Sequence, residues 1–269
     1  MKRSWEIIGH MTDATLPFVI TVPHCSSRIP RRIRRVVALS DEEIRESTDI
    51  GTKEIFGSIP AKSVLCSDWS RLVVDLNRSV HQREPRGVIA HVDYNGRNVY
   101  HKGCIPDERE AELRFREYYW PFHARLKEAF DHPEIKVLFD CHSLIGIGPP
   151  EAPDKGKRRA DIVLGNNGDG NGDLNPALGK ITCPPKLLLF MKDAFERVGF
   201  SVSVNNPYSG GFITTHYGQW FEATGKITVQ IEIKQDLYMA PPAMKPVPEK
   251  LYAVRDMILK SFEDIANSL

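Results

Sequence analysis

Four short stretches of this sequence end in side chains that can bind a metal, move a proton or hold an anion. They are Pro23-His24-Cys25-Ser26-Ser27, Asn77-Arg78-Ser79, Asp140-Cys141-His142-Ser143 and the end of residues 226–233, which holds Glu232. Two imidazoles and a carboxylate with an open fourth position form the usual catalytic zinc site. A further carboxylate beside such a site can take a proton from an attacking water, which singles out Glu232. Asn77 and Arg78 offer an amide and a two-pronged guanidinium suited to a substrate carboxylate. Asp140 lies two residues before His142 and shares its face on a strand, so it can either bind metal or orient the imidazole. Cys141 points to the opposite face, which argues against a Cys141–His142 nucleophile pair. Cys25 adjoins His24 either as a ligand or as a packing group.

Each of these stretches follows or closes an apolar, β-rich run: residues 18–22, 72–76, 135–141 and 226–233. Further strands are expected at 161–164 and 200–204, with a helix over 184–198. Ser40 with Glu43 three residues on forms a capping box that opens another helix. Residues 107–130 show helical periodicity, and Pro121 within them should kink or split the helix. Strands alternating with helices imply an α/β sheet between helical layers. Ligands then gather in the crevice beyond the strand C-termini, where the four reactive stretches would meet. Runs such as VLFD and ITVQIEI are read as lacking polar alternation, as expected for a sheet covered on both faces. With no repeat and no clear linker, the expectation is a single-domain three-layer αβα sandwich over residues 1–269.

The 269 residues are long enough to bury a core without disulfide staples. The five cysteines are odd in number and show no CxxC spacing, which favours reduced thiols and a cytoplasmic protein. The run LPFVITV is too short for a signal core or a membrane span. A net charge of +1 argues against a nucleic-acid partner. The basic run at 28–35 reads as a solvated helix start after Pro30. Loop 165–183 is rich in Asp and Asn but carries Leu174 and Lys180 where a calcium loop needs Gly and Glu. A monomer is the default expectation.

The segments PHCSSRIP, SRLVVDLNRS, DCHS, ADIVLG, NNPYSGGFITTHYG and VQIEIKQDLYM, in this order between residues 23 and 239, resemble the N-formylglutamate amidohydrolases. The resemblance implies a zinc-carboxypeptidase-like fold with a mixed central sheet. It implies a zinc ion (Zn2+) held by His24, an acid and His142. Carboxypeptidases place a Glu three residues after the first His, where this chain has Ser27. Asp49, in Ser47-Thr48-Asp49-Ile50-Gly51-Thr52, matches the family's acid in such a context, with Glu54 and Asp140 as competitors. The resemblance further implies Glu232 as general base, Arg71 as the group polarising the scissile carbonyl, and Asn77 and Arg78 on the substrate's α-carboxylate. His216 is either a substrate contact or a surface-loop histidine, and Arg159 and Asp161 are substrate contacts or an ion pair. The implied substrate is a small N-acyl amino acid, foremost N-formyl-L-glutamate cleaved to formate and L-glutamate, in amino-acid catabolism such as histidine degradation. A carboxypeptidase-like enzyme, another N-acyl-amino-acid deacylase and a noncatalytic ligand-binding relative are the alternatives.

Overall fold

A computed structural model describes residues 16–83, 85–240 and 245–269, together with the backbone of 5–7. In chain order the strands of the central sheet are β1 (Trp5–Ile7), β2 (Leu16–Val22), β3 (Ala61–Ser67), β4 (Val137–Leu144), β5 (Ile162–Gly165), β6 (Val202–Val204) and β7 (Ile227–Lys234). They form one sheet in the order β1-β3-β2-β4-β7-β5-β6. Strands β3, β2, β4 and β7 run parallel, β5 is antiparallel to β7, and β1 is antiparallel to β3. The sheet is therefore mixed and mostly parallel. The C-terminal ends of β2, β4 and β7 lie side by side.

The helices are α1 (Arg31–Arg34), α2 (Asp41–Glu46), α3 (Thr52–Phe56), α4 (Glu108–Arg114), α5 (Trp120–Asp131), α6 (Pro185–Arg197), α7 (Phe212–Gly218), α8 (Phe221–Thr224) and α9 (Pro248–Ala266). Strand alternation sorts them into two layers. Val137, Phe139 and Cys141 of β4 pack with α3, α6 and α9, whereas Leu138 joins the core beneath α5 and α7. The capping box of α2 forms as expected: Glu43 N–H donates to Ser40 Oγ, and Ser40 N–H donates to the Glu43 carboxylate. Pro121 does not split the helix expected over 107–130: the backbone stays helical from Glu108 to Asp131, and only its hydrogen bonding changes. The proline ring removes one N–H and crowds the carbonyl four residues back. The chain relieves this with a wider turn at Phe115–Tyr119, in which Trp120 N–H reaches Phe115 O.

Two further expectations need correction. Residues 72–76 are not a strand. Leu72, Val73, Val74 and Leu76 are buried, but Val73 N–H closes a turn onto Ser70 O and Asp75 N–H pairs with Val88 O. Their apolar character serves burial beneath the second helical layer, and the sheet position beside β2 is taken by β3. Nor does ITVQIEIK lack alternation. Ile227, Val229, Ile231 and Ile233 enter the core against α6 and α9, while Thr228, Gln230 and Glu232 face the other way and are buried too. A third difference is one of extent: β4 does not stop at 141 but stays paired with β7 through Leu144, which sets His142 opposite Glu232.

The core's centre is aromatic. Phe262 of α9 stacks on Phe139 at 4.6 Å between ring centroids and meets Phe18 and Phe195 edge-on. Phe262→Ala should cost about 3–5 kcal/mol and lower the melting temperature by roughly 10 °C. Differential scanning calorimetry checks this; a shift below about 2 °C would show that the cavity collapses around the lost ring. No helix among the described residues is long and apolar enough to cross a membrane.

Candidate metal centre and cavity

His24 follows directly on β2, where Pro23 cannot donate to a sheet ladder. Its carbonyl accepts from Asp49 N–H at 3.0 Å, which ties the turn between α2 and α3 to the strand end. That turn requires Gly51. The residue sits at φ +88°, and a Cβ there would lie 2.6 Å from the Tyr238 ring. Tyr238 in turn donates its hydroxyl hydrogen to Ile50 O. Asp49 is thereby held over β4 at the level of His142.

The two imidazoles are oriented alike. His24 Nε2 lies 2.7 Å from Asp75 Oδ1, and His142 Nε2 lies 2.9 Å from Asp140 Oδ1. Carboxylates in these positions hold the Nε2 protons, so each Nδ1 offers a lone pair whenever its imidazole is neutral. The two Nδ1 atoms are 3.1 Å apart. Asp49 Oδ2 is 3.2 Å from His142 Nδ1 and 3.7 Å from His24 Nδ1. Three lone pairs converging this closely repel one another unless a proton or a metal cation lies between them. Two imidazole nitrogens and one carboxylate oxygen are the donors a divalent zinc takes. The residues therefore fit the metal. Among the described residues this is the group of three potential ligands whose donor atoms all come within 4.8 Å of one another.

The surrounding charges favour a cation as well. Burial alone would lower the His142 pKa, but attraction to Asp140 and Asp49 outweighs it and holds the imidazole well above its ordinary value. Burial would raise Asp49, yet hydrogen bonding to His142 and His24 pulls it well below the usual carboxylate range. Asp75 is lowered against its own burial by Arg71, whose Nη2 lies 2.6 Å from Oδ2. Glu232 behaves differently. Burial pushes its carboxyl up to about 8, against the opposing pull of His142 across the strand pair. Its hydrogen bond in the site comes from Gln230 Nε2 at 3.0 Å.

His24, Asp49, His142, Gln230 and Glu232 line a cavity of about 340 Å³, a size suited to a small molecule. Its wall carries three guanidiniums, of Arg71, Arg78 and Arg159. Arg71 is paired with Asp75, and Arg159 makes a bidentate pair with Asp154 at 2.7 Å. Arg78 donates to Tyr94 Oη at 2.8 Å and has no carboxylate partner among the described residues. The Gly210-Gly211 turn closes one side. Gly210 has φ +150°, and a Cβ on Gly211 would lie 2.3 Å from the Asn77 amide.

His24, Asp49, Arg71, Asn77, Arg78, His142 and Glu232 thus share one cavity. Of the competing acids, Glu54 is exposed on α3, and Asp140 meets His142 on the side away from the converging nitrogens. Asn77 is engaged at both ends. Its Nδ2 donates to Asp140 Oδ2 and its Oδ1 accepts from Ile213 N–H. His216 is not in the cavity. The second half of the NPYSGGFITTHYG run forms α7, and four residues after Phe212 the exposed His216 ring stacks on that residue's ring, next to Trp220. Arg159 and Asp161 do not pair with each other; Asp161 bonds Lys234. Cys25 and Cys141 both pack toward the core under α9 and not toward the metal ligands. Sequence reasoning missed Asp75 as the partner of His24, and it missed Tyr94, Gln230 and Gln235 on the wall. The alternation in ITVQIEIK was the one available signal for Gln230.

A model of the N-formylglutamate amidohydrolase family matches residues 16–239. An N-formylglutamate deformylase of Pseudomonas aeruginosa is 29% identical over 241 residues, covering 83% of this chain and 82% of that protein. One of Pseudomonas putida is 27% identical over 260 residues, covering 91% and 90%. The crystal structure of an N-formylglutamate amidohydrolase from Ralstonia eutropha JMP134 shares the fold. Its TM-score is 0.77 at 20% identity, with 98% of this chain and 97% of that one covered.

Proposed function

The chain belongs to the N-formylglutamate amidohydrolase family, and from that premise we propose that it is a zinc-dependent hydrolase converting N-formyl-L-glutamate to formate and L-glutamate. The observation that carries this reading is the convergence of His24 Nδ1, His142 Nδ1 and Asp49 Oδ2 beside a buried acid, Glu232, that has no ion-pair partner among the described residues. Bound there, a zinc ion would polarise the formyl carbonyl and lower the pKa of water.

The protein's own groups do the rest. Glu232 accepts a proton from the attacking water and returns it to the nitrogen as the C–N bond breaks, so the amine leaves neutral. Arg71, fixed by Asp75, stabilises the negative charge that develops on the carbonyl oxygen. Arg78 has unused N–H donors and no carboxylate partner among the described residues, and it binds the substrate's α-carboxylate. Asn77 acts on the same site from behind, by holding Asp140 against His142. The product chemistry belongs to amino-acid catabolism, where a formylated amino acid must be supplied by an upstream ring opening or formyl transfer.

The test is formate release from N-formyl-L-glutamate by the purified protein, before and after dipicolinate treatment and after adding zinc back. Equimolar formate and glutamate, lost on chelation and restored by zinc, are expected. No release from zinc-loaded protein would reject the substrate, and release that survives complete metal removal would reject the metal.

A further inference from the structure

Tyr94 stands between two arginines of the cavity, Arg71 and Arg78. Its ring lies under the Arg71 guanidinium, 5.4 Å from carbon to centroid, and its hydroxyl accepts from Arg78 Nη2 at 2.8 Å. We propose that Tyr94 is a positioning and specificity-determining residue that sets the spacing of Arg71 and Arg78, and whose phenol O–H forms the second half of the substrate-carboxylate clamp. This rests on the function proposed above.

Three features of the chain support the assignment. The first is the stiffness of the turn that presents Tyr94. The buried Asp93 carboxylate accepts from Asn95 N–H at 2.9 Å and from Arg97 N–H at 2.8 Å. Arg97 pairs with Asp93 and also reaches Glu46 of α2 at 2.7 Å. Residues 93–97 are therefore braced from both sides, and the ring between them is held in place. Such bracing has no evident use in a surface turn that touches nothing.

The second is hydrogen-bond capacity. Arg78 donates from Nε to Arg86 O, from Nη1 to Asn77 O and from Nη2 to Tyr94 Oη. A guanidinium has five N–H groups, so two remain. A phenol that accepts one bond still has its own hydrogen to give. Arg78 and Tyr94 together can thus meet both oxygens of one carboxylate, with the geometry fixed before the ligand arrives.

The third is charge. Arg71 and Arg159 are each neutralised by an aspartate. Arg78 is the cavity guanidinium without one among the described residues, so an anion is drawn to the place where Tyr94 holds it. The aromatic face beneath Arg71 keeps that second cation from swinging over to compete.

Tyr94→Phe keeps the ring and removes the hydroxyl; Tyr94→Leu removes both. The F variant should raise KM for N-formyl-L-glutamate roughly 10- to 100-fold, the usual effect of a lost bond to a charged group, while kcat stays within about threefold. The L variant should show the same KM effect and a further fall in kcat of about tenfold, through Arg71. Arginine labelling by phenylglyoxal, read at Arg78 by peptide mass spectrometry, requires no turnover and should run severalfold faster in the F variant than in wild type. Unchanged KM and unchanged Arg78 labelling in Tyr94→Phe overturn the proposal, and an L variant with wild-type kcat overturns the Arg71 half of it. If wild type hydrolyses a different N-acyl amino acid, the same ratios are read on that substrate. Inactive wild type would count against the function, while the labelling experiment judges Tyr94 on its own.

Discussion

Replacing His142 with alanine is expected to strip zinc from the protein and abolish deformylation, and also to destabilise the fold. The two effects have different causes and can be separated. On the proposed ligand set zinc is lost because two donors, His24 Nδ1 and Asp49 Oδ2, remain of the three. Stability falls because Asp140 is fully buried and its Oδ1 loses the imidazole, leaving Asn77 and Thr214 as partners on Oδ2. Breaking a buried charged pair from one side typically costs about 3–5 kcal/mol. The double variant His142→Ala with Asp140→Asn removes the stranded charge and should recover much of that loss, yet it should still bind no zinc. Plasma mass spectrometry and thermal unfolding of both proteins decide the matter. Near-stoichiometric zinc in the well-folded double variant would mean that the ligand set is wrong. Unequal stability with equal zinc loss is the expected pattern.

What the sequence made legible, and what it did not, follows from how local each signal was. The parallel core strands were readable because Val, Ile and Phe dominate them and polar punctuation follows. The same reasoning failed at 72–76, where an equally apolar run is buried without a strand to pair with, and at Ala61–Ser67, whose first half is polar enough to hide an inner strand. His24, His142 and Glu232 stood out as reactive groups at strand ends. Their convergence depends on the order β2-β4-β7, which no local pattern encodes. Asp75 was invisible as the partner of His24 because the two are 51 residues apart and meet only through that topology. His216 misled for the opposite reason: a conspicuous imidazole in a specific motif turns outward because one helical turn separates it from Phe212.

The site also concentrates cost. Asp49, Asp75, Asp140 and Glu232 are all buried within the same few layers of side chains. Three of them have partners that hold their charge: imidazoles, a guanidinium, an amide. Glu232 has a single neutral donor among the described residues, Gln230. A carboxyl kept so short of partners is poorly solvated as an anion, and in that form it is a stronger base than an exposed glutamate.

Glu232→Gln isolates that property, and its expected consequences have opposite signs for activity and stability. The substitution conserves volume, and the new side-chain oxygen can still accept from Gln230. Proton transfer is lost, so kcat should fall by about 10²–10⁴. Zinc content should hold and KM should change little, because the ligands and the arginines are untouched. Glu232→Asp, which withdraws the carboxylate by one methylene, should lie between. In the metal-free protein the folded carboxyl keeps its proton up to about pH 8, whereas the unfolded chain gives it up near the ordinary value of 4.5. Across that interval the folded state binds more protons, so stability declines as pH rises from about 4.5 to 8. Gln has no such slope. Metal-free Glu232→Gln should therefore exceed metal-free wild type in stability at neutral pH, by on the order of 2–4 kcal/mol, and match it near pH 4. Urea unfolding at the two pH values measures the difference. A variant that keeps kcat within tenfold of wild type would remove Glu232 from the proton-transfer role. One that loses activity but shows no pH-dependent gain in stability would locate the base correctly while rejecting its poorly solvated state as the source of its strength.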